Sequence, residues 1–500
     1  MPDSGFGLKQ PLMPWPICAA IRISAYLRFD PCMRFSFNSY LLFFVIAAGA
    51  LFVSCKLEEE ITTDPKAILR FSTDTLFFDT VFSDLGGGPP LSVTKQLWVI
   101  NENDKTVKVN IRLQGTSNGS IRMNIDGLPS SAITGKEIGA NDSIVIFVQF
   151  YSNAGNDFII TEQLLFETNG NLQDVDIVGF GRDAYYYRNQ VLPGAGGQLI
   201  WQNDKPHVIY DSILIPAGTT LTIKAGARIH SHVKSVILVQ GTLLVEGEYG
   251  SPVIFEGDRL DAEYRNRAGQ WIGIRFLPGS KDNVIRHAII KNGELGIEVD
   301  SLPVNSNPNL LLRESFIDNM SAVGIVGYTA NLVAINNVVT NCGQFTFYGV
   351  LGGEYTLYHN TFASYNFTLN RQTPHFVLDN SPFKDESGNI VAKYPLNYRV
   401  VNTIIYGSRE EEVVLNNAAD GEQSFTTRIF QTNLLRTKTE SLNVNGNILN
   451  QDPRFENAGE VDMRLKSDSP AKGKGTALGV LTDIGMQQRS ATAPGIGAWE

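Results

Sequence analysis

Residues 333–341 read "VAINNVVTN", and the same pattern of apolar and polar positions recurs on both sides of them. It returns as "VIRHAIIKN" (284–292), "LLRESFIDN" (311–319), "TLYHNTFAS" (356–364) and "YRVVNTIIYG" (398–407). Aligned on their centres, the five segments share one column: Ala288, Ser315, Asn337, Asn360 and Asn402, spaced by 27, 22, 23 and 42 residues. A second column places glycine before a branched residue, at Gly273-Ile274, Gly296-Ile297, Gly324-Ile325 and Gly349-Val350. A repeat of about 22–25 residues built from short strands and glycine turns, without helical periodicity, predicts a parallel β-helix. Each turn stacks on the last at the normal strand spacing of ~4.8 Å. Inward aliphatics fill such a coil, and asparagines at its bends bond along the stack. A leucine-rich repeat is the main competitor, but its leucine spacing and helical segment are missing.

Upstream, "ILIPAGTTLTIKAGARIH" (213–230) and "SVILVQGTLLVEGE" (235–248) continue the rhythm, so the coil is expected over residues 190–500, with room for about ten turns. Before it, the pattern changes. In "TVKVNIRLQG" (106–115) Val107, Val109, Ile111 and Leu113 alternate with Lys108, Asn110, Arg112 and Gln114, the period of a strand with one face in a core. Similar runs lie at 76–82, 96–100, 121–125, 143–150, 162–167 and 175–180, separated by turn sequences such as "NEND" and "GAND". Short strands at this density over residues 68–183 predict a two-sheet sandwich of immunoglobulin type. The fold class is therefore all-β: an immunoglobulin-like β-sandwich followed by a right-handed, single-stranded parallel β-helix.

The chain has 500 residues and a formal net charge of −10, with no lysine- or arginine-rich run. That argues against nucleic-acid binding, which rests on basic patches. Its four cysteines, Cys18, Cys32, Cys55 and Cys342, fit neither a disulfide framework nor a metal site. From Tyr40 to Val53 the chain is wholly apolar, with Arg34 ahead of it and Cys55 just behind, the layout of a signal peptide. The proline-bearing residues 1–32 make an unusually long leader, so Met33 is expected to be the true start and 33–54 the signal peptide. An uncleaved membrane-spanning helix is the other reading of this segment, since residues 35–55 carry no charge.

Three stretches carry resemblances to known families. "FVSC" (52–55) resembles a bacterial lipobox, and the acidic "KLEEE" (56–60) resembles the signal that exports lipoproteins to the cell surface in the Bacteroidetes. That resemblance implies lipid on Cys55, an acidic tether over 55–67, and a chain on the outer membrane facing outward. "KQLWVINENDKTVKVNIRLQG" (95–115), "TGKEIGANDSIVIFVQF" (134–150) and "VDIVGFG" (175–181) resemble hydin-type immunoglobulin-like domains. "LIWQNDKPHVIYDSILIPAGTTLTIKAGARI" (199–229), "GTLLVEGEYGSPVIFEGD" (241–258) and the closing "NQDPRF … MRLKSDSPAKGKGT … PGIGAWE" resemble exported pectate-lyase-like β-helix proteins.

Many proteins of that superfamily are polysaccharide lyases or hydrolases. A lyase needs acidic groups, often through Ca²⁺, and a base; a hydrolase needs two carboxyl groups facing one bond. Two loops offer candidates. "EGDRLDAEYRNRAGQ" (256–270) carries Asp258, Asp261, Glu263, Arg265 and Arg267, with Tyr264 and the nearby Trp271 as sugar platforms. "NRQTPHFVLDNSPFKDESGN" (370–389) carries Arg371, His375, Asp379, Asp385 and Glu386, and it accounts for the long interval in the repeat. Loops interrupting a rigid coil are where function concentrates, although charged loop residues are more often simply solvated. Arg286, His287, Arg313, Glu314, Asp318 and His359 are further residues placed to align across turns, and Cys342 reads as a small buried side chain. No catalytic residue is assigned. The expectation is a monomeric surface lipoprotein that binds a polysaccharide or another envelope protein without catalysis and without a cofactor. The alternative is a lyase or hydrolase of an acidic polysaccharide, with Ca²⁺ only in the lyase case. Three acidic side chains and one arginine or lysine meeting in one groove would favour the enzyme.

Overall fold

Alternation of apolar and polar residues builds the first region. The computed structural model describes residues 60–82, 92–115, 120–151, 158–193, 197–300, 302–365, 371–417 and 427–500. Met33, the apolar run and Cys55 lie outside them. Among the described residues no helix is long and apolar enough to cross a membrane. In strand Val107–Gln114, Val107, Val109 and Ile111 are buried while Lys108, Asn110 and Arg112 face water. One sheet orders Arg70–Phe71, Ser92–Ile100, Ser143–Tyr151, Ile121–Ile125 and Leu128–Pro129, all antiparallel. The other orders Thr75–Phe82, Asn171–Arg182, Phe158–Thr168, Val107–Gln114 and Ala132–Ile138, with its first pair parallel. Their inner faces share one core, and Phe78 stacks on Phe150 across the layers with ring centroids 5.5 Å apart. Each such buried aromatic contributes about 1.5–3 kcal/mol. The turn "NEND" is fixed by Asn101, whose buried amide donates to the carbonyls of Lys105 (2.9 Å) and Gly139 (2.7 Å). Residues 60–67, expected as part of a tether, are tied to the sandwich instead. The Thr62 amide donates to the Thr106 carbonyl (2.8 Å), the Thr106 amide donates to the Glu60 carbonyl (3.2 Å), and Ala67 is buried in the core.

The second region is a parallel β-helix. A turn such as Asn331–Ile335, Val338–Thr340 and Phe345–Val350 supplies three strands, and each pairs in parallel with its counterparts one turn before and after. One face is a sheet of nine strands from Gln198–Trp201 to Arg428–Gln431; the other two faces join into a sheet of eighteen. The interior is a register-true column running Trp201, Ile223, Val245, Ile285, Leu312, Ala334, Leu357, Val400 and Phe430, every member buried. Stacking gives each aliphatic two like neighbours, which a lone turn cannot supply.

The polar column is real, with one correction. The backbone amide of Ala288 donates to Ser315 Oγ, that of Ser315 to Asn337 Oδ1, and that of Asn337 to Asn360 Oδ1, each at 3.0 Å. The next place belongs to Thr403, not Asn402, because Thr361 pairs with Ile404. The ladder then resumes through Asn433 Oδ1, bound by the Thr403 amide at 2.9 Å, and Asn447 Oδ1, bound by the Asn433 amide at 2.9 Å. Asn402 stands one position earlier, in a column with His287, Glu314, Asn336, His359 and Thr432. All six hold left-handed backbone, with φ between 45° and 56°. This is the bend between two faces, and asparagine tolerates it better than most residues.

Beyond Ile448–Leu449 the chain leaves the coil and returns along its flank. The hairpin Phe455–Asn457 with Asp462–Leu465, together with Ala471, Ile484, Ile496 and Ala498, covers Val338, Ala363, Ile404 and Leu434. Arg489 clamps this cover, donating to Asn336 Oδ1 and to the carbonyl of Gly497, each at 2.9 Å.

Candidate functional site

The sandwich runs straight into the coil: Asn171–Arg182 closes one and Tyr185–Val191 opens the other, pairing with His207–Ile215. Phe82, Ala184, Val208 and Tyr210 form a small core at the junction, and the Phe82 ring lies 4.8 Å from that of His230. The loop after Val253–Gly257 rises beside this junction. Arg265 reaches Asp79 of the sandwich at 3.4 Å. Between the loop and the sandwich lies a cleft of about 400 Å³. The sandwich lines it with Thr80, Phe82, Ser92 and Val93; the coil contributes His232, Asp258, Arg259, Tyr264 and Arg267.

Stacking places the coil's polar groups there. Arg188 pairs with Tyr210, and the neighbouring registers put His232 and Asp258 at the same position of the next two turns. On this outer row the Arg188 guanidinium lies 4.8 Å from the Tyr210 ring, and Tyr210 lies 4.9 Å from His232. His232 Nδ1 then bonds Asp258 Oδ2 at 2.6 Å. That bond raises the His232 pKa above the ordinary imidazole value, against partial burial. One row over, His230 is fully buried against Phe82, and desolvation lowers its pKa instead.

The loop is held from within. The Asp261 carbonyl accepts from the amides of Tyr264 and Arg265, each at 2.9 Å, and its carboxylate binds Arg259 Nε at 2.8 Å. Gln270 donates to the carbonyls of Tyr264 (2.7 Å) and Arg267 (2.8 Å). Asn292 and Asn319, stacked at a bend, hold the carbonyls of Arg265 and Asn266. Arg259 and Arg267 lie 3.9 Å and 5.2 Å from the Tyr264 ring centroid. Arg267 is exposed and makes no ion pair with a described carboxylate.

Of the residues expected to bind ligand, Asp258, Tyr264 and Arg267 line the cleft. Asp261 is buried beneath it as a loop brace, Glu263 is exposed away from it, and Arg265 faces Asp79. Trp271 is not a sugar platform: its indole is fully buried in the coil, with Nε1 donating to the Lys291 carbonyl at 3.0 Å. Arg371 and His375 are likewise withdrawn from solvent. Arg371 forms a two-point ion pair with Glu412, at 2.7 and 2.6 Å, and Glu412 is fully buried. His375 Nδ1 meets Thr346 Oγ1 at 2.7 Å, and burial keeps its pKa well below normal. Asp379 is half-buried on the outer face, accepting from the Ser381 amide (2.7 Å) and Asn416 (2.9 Å). Asp385 caps the turn of the hairpin Phe383–Lys384 with Ile390–Ala392 through the amides of Ser387 and Asn389.

The residues expected to align across turns divide. Arg286 and Arg313 are register partners, each near Glu314 (3.6 and 3.1 Å), whose pKa burial raises. Burial and the Arg489 charge push His359 down to about 3. Asp318 lies in a different row, and burial raises its pKa to about 6. Cys342 is a buried free thiol.

Three acidic side chains and an arginine, Glu456, Asp483, Glu500 and Arg464, line a second groove of about 620 Å³ together with Tyr249 and Trp499. Two of these carboxylates are already committed. Asp483 accepts from the amides of Gln487 (2.7 Å) and Glu500 (2.9 Å); Glu500 accepts from the Gly495 amide (2.8 Å) and Arg489 (3.2 Å). Arg464 is paired with Asp462. Among the described residues, no three histidine, cysteine, aspartate or glutamate side chains are grouped to hold a metal ion.

Sequence reasoning missed His232, Arg259, Gln270, Glu412 and the whole sandwich wall of the cleft. Only His232 carried a signal: Tyr210, His232 and Asp258 follow the repeat's own interval.

No protein-family model matches the chain, and no curated protein matches its sequence. Among solved structures, it is similar to the catalytic unit of the thermostable GH87 α-1,3-glucanase from Streptomyces thermodiastaticus strain HF3-3. That likeness covers 69% of this chain and 75% of the other, at 10% identity and a TM-score of 0.32. PapD-like domain 7 of human CEP192 is similar over 25% of this chain and 92% of its own, at 10% identity and a TM-score of 0.17. A family 123 glycoside hydrolase from Clostridium perfringens is similar over 26% of each chain, at 10% identity and a TM-score of 0.17. The chain thus spans about a quarter of that hydrolase, and none of these likenesses assigns a residue a role.

Proposed function

We propose that this protein binds a glycan in the cleft between sandwich and coil, and does not cleave it. One observation carries the reading: among the described residues the cleft is lined by a single carboxylate, Asp258, and it is bonded to His232 at 2.6 Å, while Asp261 lies buried beneath the cleft with Arg259 at 2.8 Å. A glycosidase needs one carboxyl group free to give a proton and a second free to attack or to activate water. The cleft offers neither. It offers a rigid wall, hydroxyls from Thr80, Ser92 and Tyr264, and guanidinium groups, which suit recognition. The hydrolase or lyase alternative rests on the second groove, where Glu456 alone is left uncommitted by the bonds that anchor the C-terminal segment.

The reading extends to the chain's address. Cys55 is proposed as the acylated first residue of the mature protein, with the coil, of pectate-lyase-like kind, displayed on the outer membrane as a monomer. Several acyl chains anchor stably where one binds only marginally. A glycan array probed with the full chain tests the binding. Saturable signal on a defined set of saccharides is expected, and a blank array sinks the proposal. Radiolabelled palmitate incorporation that survives Cys55→Ser would remove the anchor.

A further inference from the structure

Resting on that reading, we infer that the glycan bound in the cleft is acidic, and that Arg267 is the residue that recognises its anionic group. Three basic side chains line the cleft: the guanidinium groups of Arg259 and Arg267, and the imidazole of His232. Two are matched by carboxylates at hydrogen-bond distance, Asp258 and Asp261. Arg267 has none among the described residues, so its guanidinium is the unbalanced charge of the cleft.

Its placement is built. Gln270 is buried, and its amide nitrogen has two carbonyls to serve, those of Tyr264 and Arg267, at 2.7 and 2.8 Å. Both partners are acceptors, which settles which end of the amide is nitrogen. Gln270 thereby ties the backbone of Arg267 to the loop, and Tyr264 offers its ring to the guanidinium at 5.2 Å. A planar guanidinium with spare donors fits a carboxylate or sulfate by two parallel, charge-assisted bonds, and a neutral sugar brings no counter-charge to it. His232 adds to the same preference. Its Nδ1 is engaged by Asp258, its Nε2 makes no hydrogen bond among the described residues, and its side chain is 40% exposed. The charged and titratable groups around it are Asp258, Asp211, Arg188 and Tyr210. Its ring is held in place by Asp258, a bond that favours the protonated form and with it an N–H at Nε2. Gln270 is a positioning residue in this scheme, and Arg267 the contact.

The test compares the full chain with its Arg267→Gln variant on one array carrying neutral, uronate-bearing and sulfated oligosaccharides, with methyl-esterified oligogalacturonate as the uncharged match of oligogalacturonate. Because Arg267 is exposed and makes no ion pair among the described residues, the variant is expected to melt with the parent. The expected result is signal confined to anionic probes, weakened about tenfold to a hundredfold in the variant. The uronate and sulfate arms report which anion is preferred. Signal on neutral probes equal to that on charged ones, or a variant that binds like the parent, overturns this inference and leaves glycan binding standing. No signal on any probe overturns glycan binding itself. Should the variant melt early, Arg267→Lys replaces it: charge kept but the planar fork lost predicts weakened binding, and undiminished binding refutes the bidentate contact.

Discussion

Two loops interrupt the coil, and in sequence they look alike: each is long, charged and laced with aromatic residues. In the folded chain they do opposite things. The loop through 258–270 stands beside the sandwich, braces itself on backbone carbonyls, and leaves Arg267 free in a cleft. The insertion through 371–392 turns Arg371 and His375 inward, where Arg371 meets fully buried Glu412 at two points and His375 packs against Thr346, and leaves Lys384, Asp385 and Glu386 in water on a hairpin. The difference comes from neighbours. The first loop has a second domain alongside to make a cavity with; the second has a gap in the coil's own wall to close. Charge in a loop is therefore no sign of a site until its partners are known.

The largest expected effect breaks the inward loop. Glu412→Ala leaves a buried guanidinium without its counter-charge and should cost about 3–5 kcal/mol in denaturant unfolding. Replacing both partners by apolar residues of similar size should be far milder, since a buried pair gains little over good packing. If the single variant unfolds like the parent, the insertion is not bolted by this pair.

A smaller effect separates the cleft from the rest of the coil by pH. The His232–Asp258 bond raises the folded-state pKa of His232, so its stabilisation is fully present below the ordinary imidazole value. It is lost as pH rises from there through the raised value. His232→Gln should flatten that part of the stability profile, and an unchanged slope would show that the pair is not formed. His230 and His359, whose pKa values are lowered by burial, work in the opposite direction: they destabilise the fold as the pH falls. Acid should therefore loosen the buried surroundings of His230 and His359 while sparing the His232 contact.

The smallest effect concerns the strut between loop and sandwich. Arg265 and Asp79 meet at 3.4 Å with the arginine largely in water. Arg265→Ala should change stability by no more than ~1 kcal/mol. A larger loss would mean that the strut, and not the Phe82 core, holds the two regions together.

Much of this architecture was legible because repetition makes it so. The interior column from Trp201 to Phe430 and the ladder Ser315, Asn337, Asn360 follow from counting residues. The count failed where the insertion intervened. Asn402 is chemically like the column, yet the register gives the place to Thr403 and uses Asn402 at the bend. The site was far less legible. The indole of Trp271 is swallowed by the coil, and Glu412 lies 41 residues from the arginine it neutralises. The cleft joins residues 80–82 and 92–93 to residues between 232 and 270, a pairing made by packing between domains, which no periodicity announces.

The central claim is binding without cleavage. Prolonged incubation of the full chain with oligogalacturonate, in the presence and absence of Ca²⁺, followed by mass spectrometry of the sugar, tests it most directly. The account predicts chains of unchanged length that co-elute with the protein on gel filtration. Shortened or unsaturated products that persist in an Arg267→Gln variant and vanish in Glu456→Gln would contradict it, and would place catalysis in the C-terminal groove.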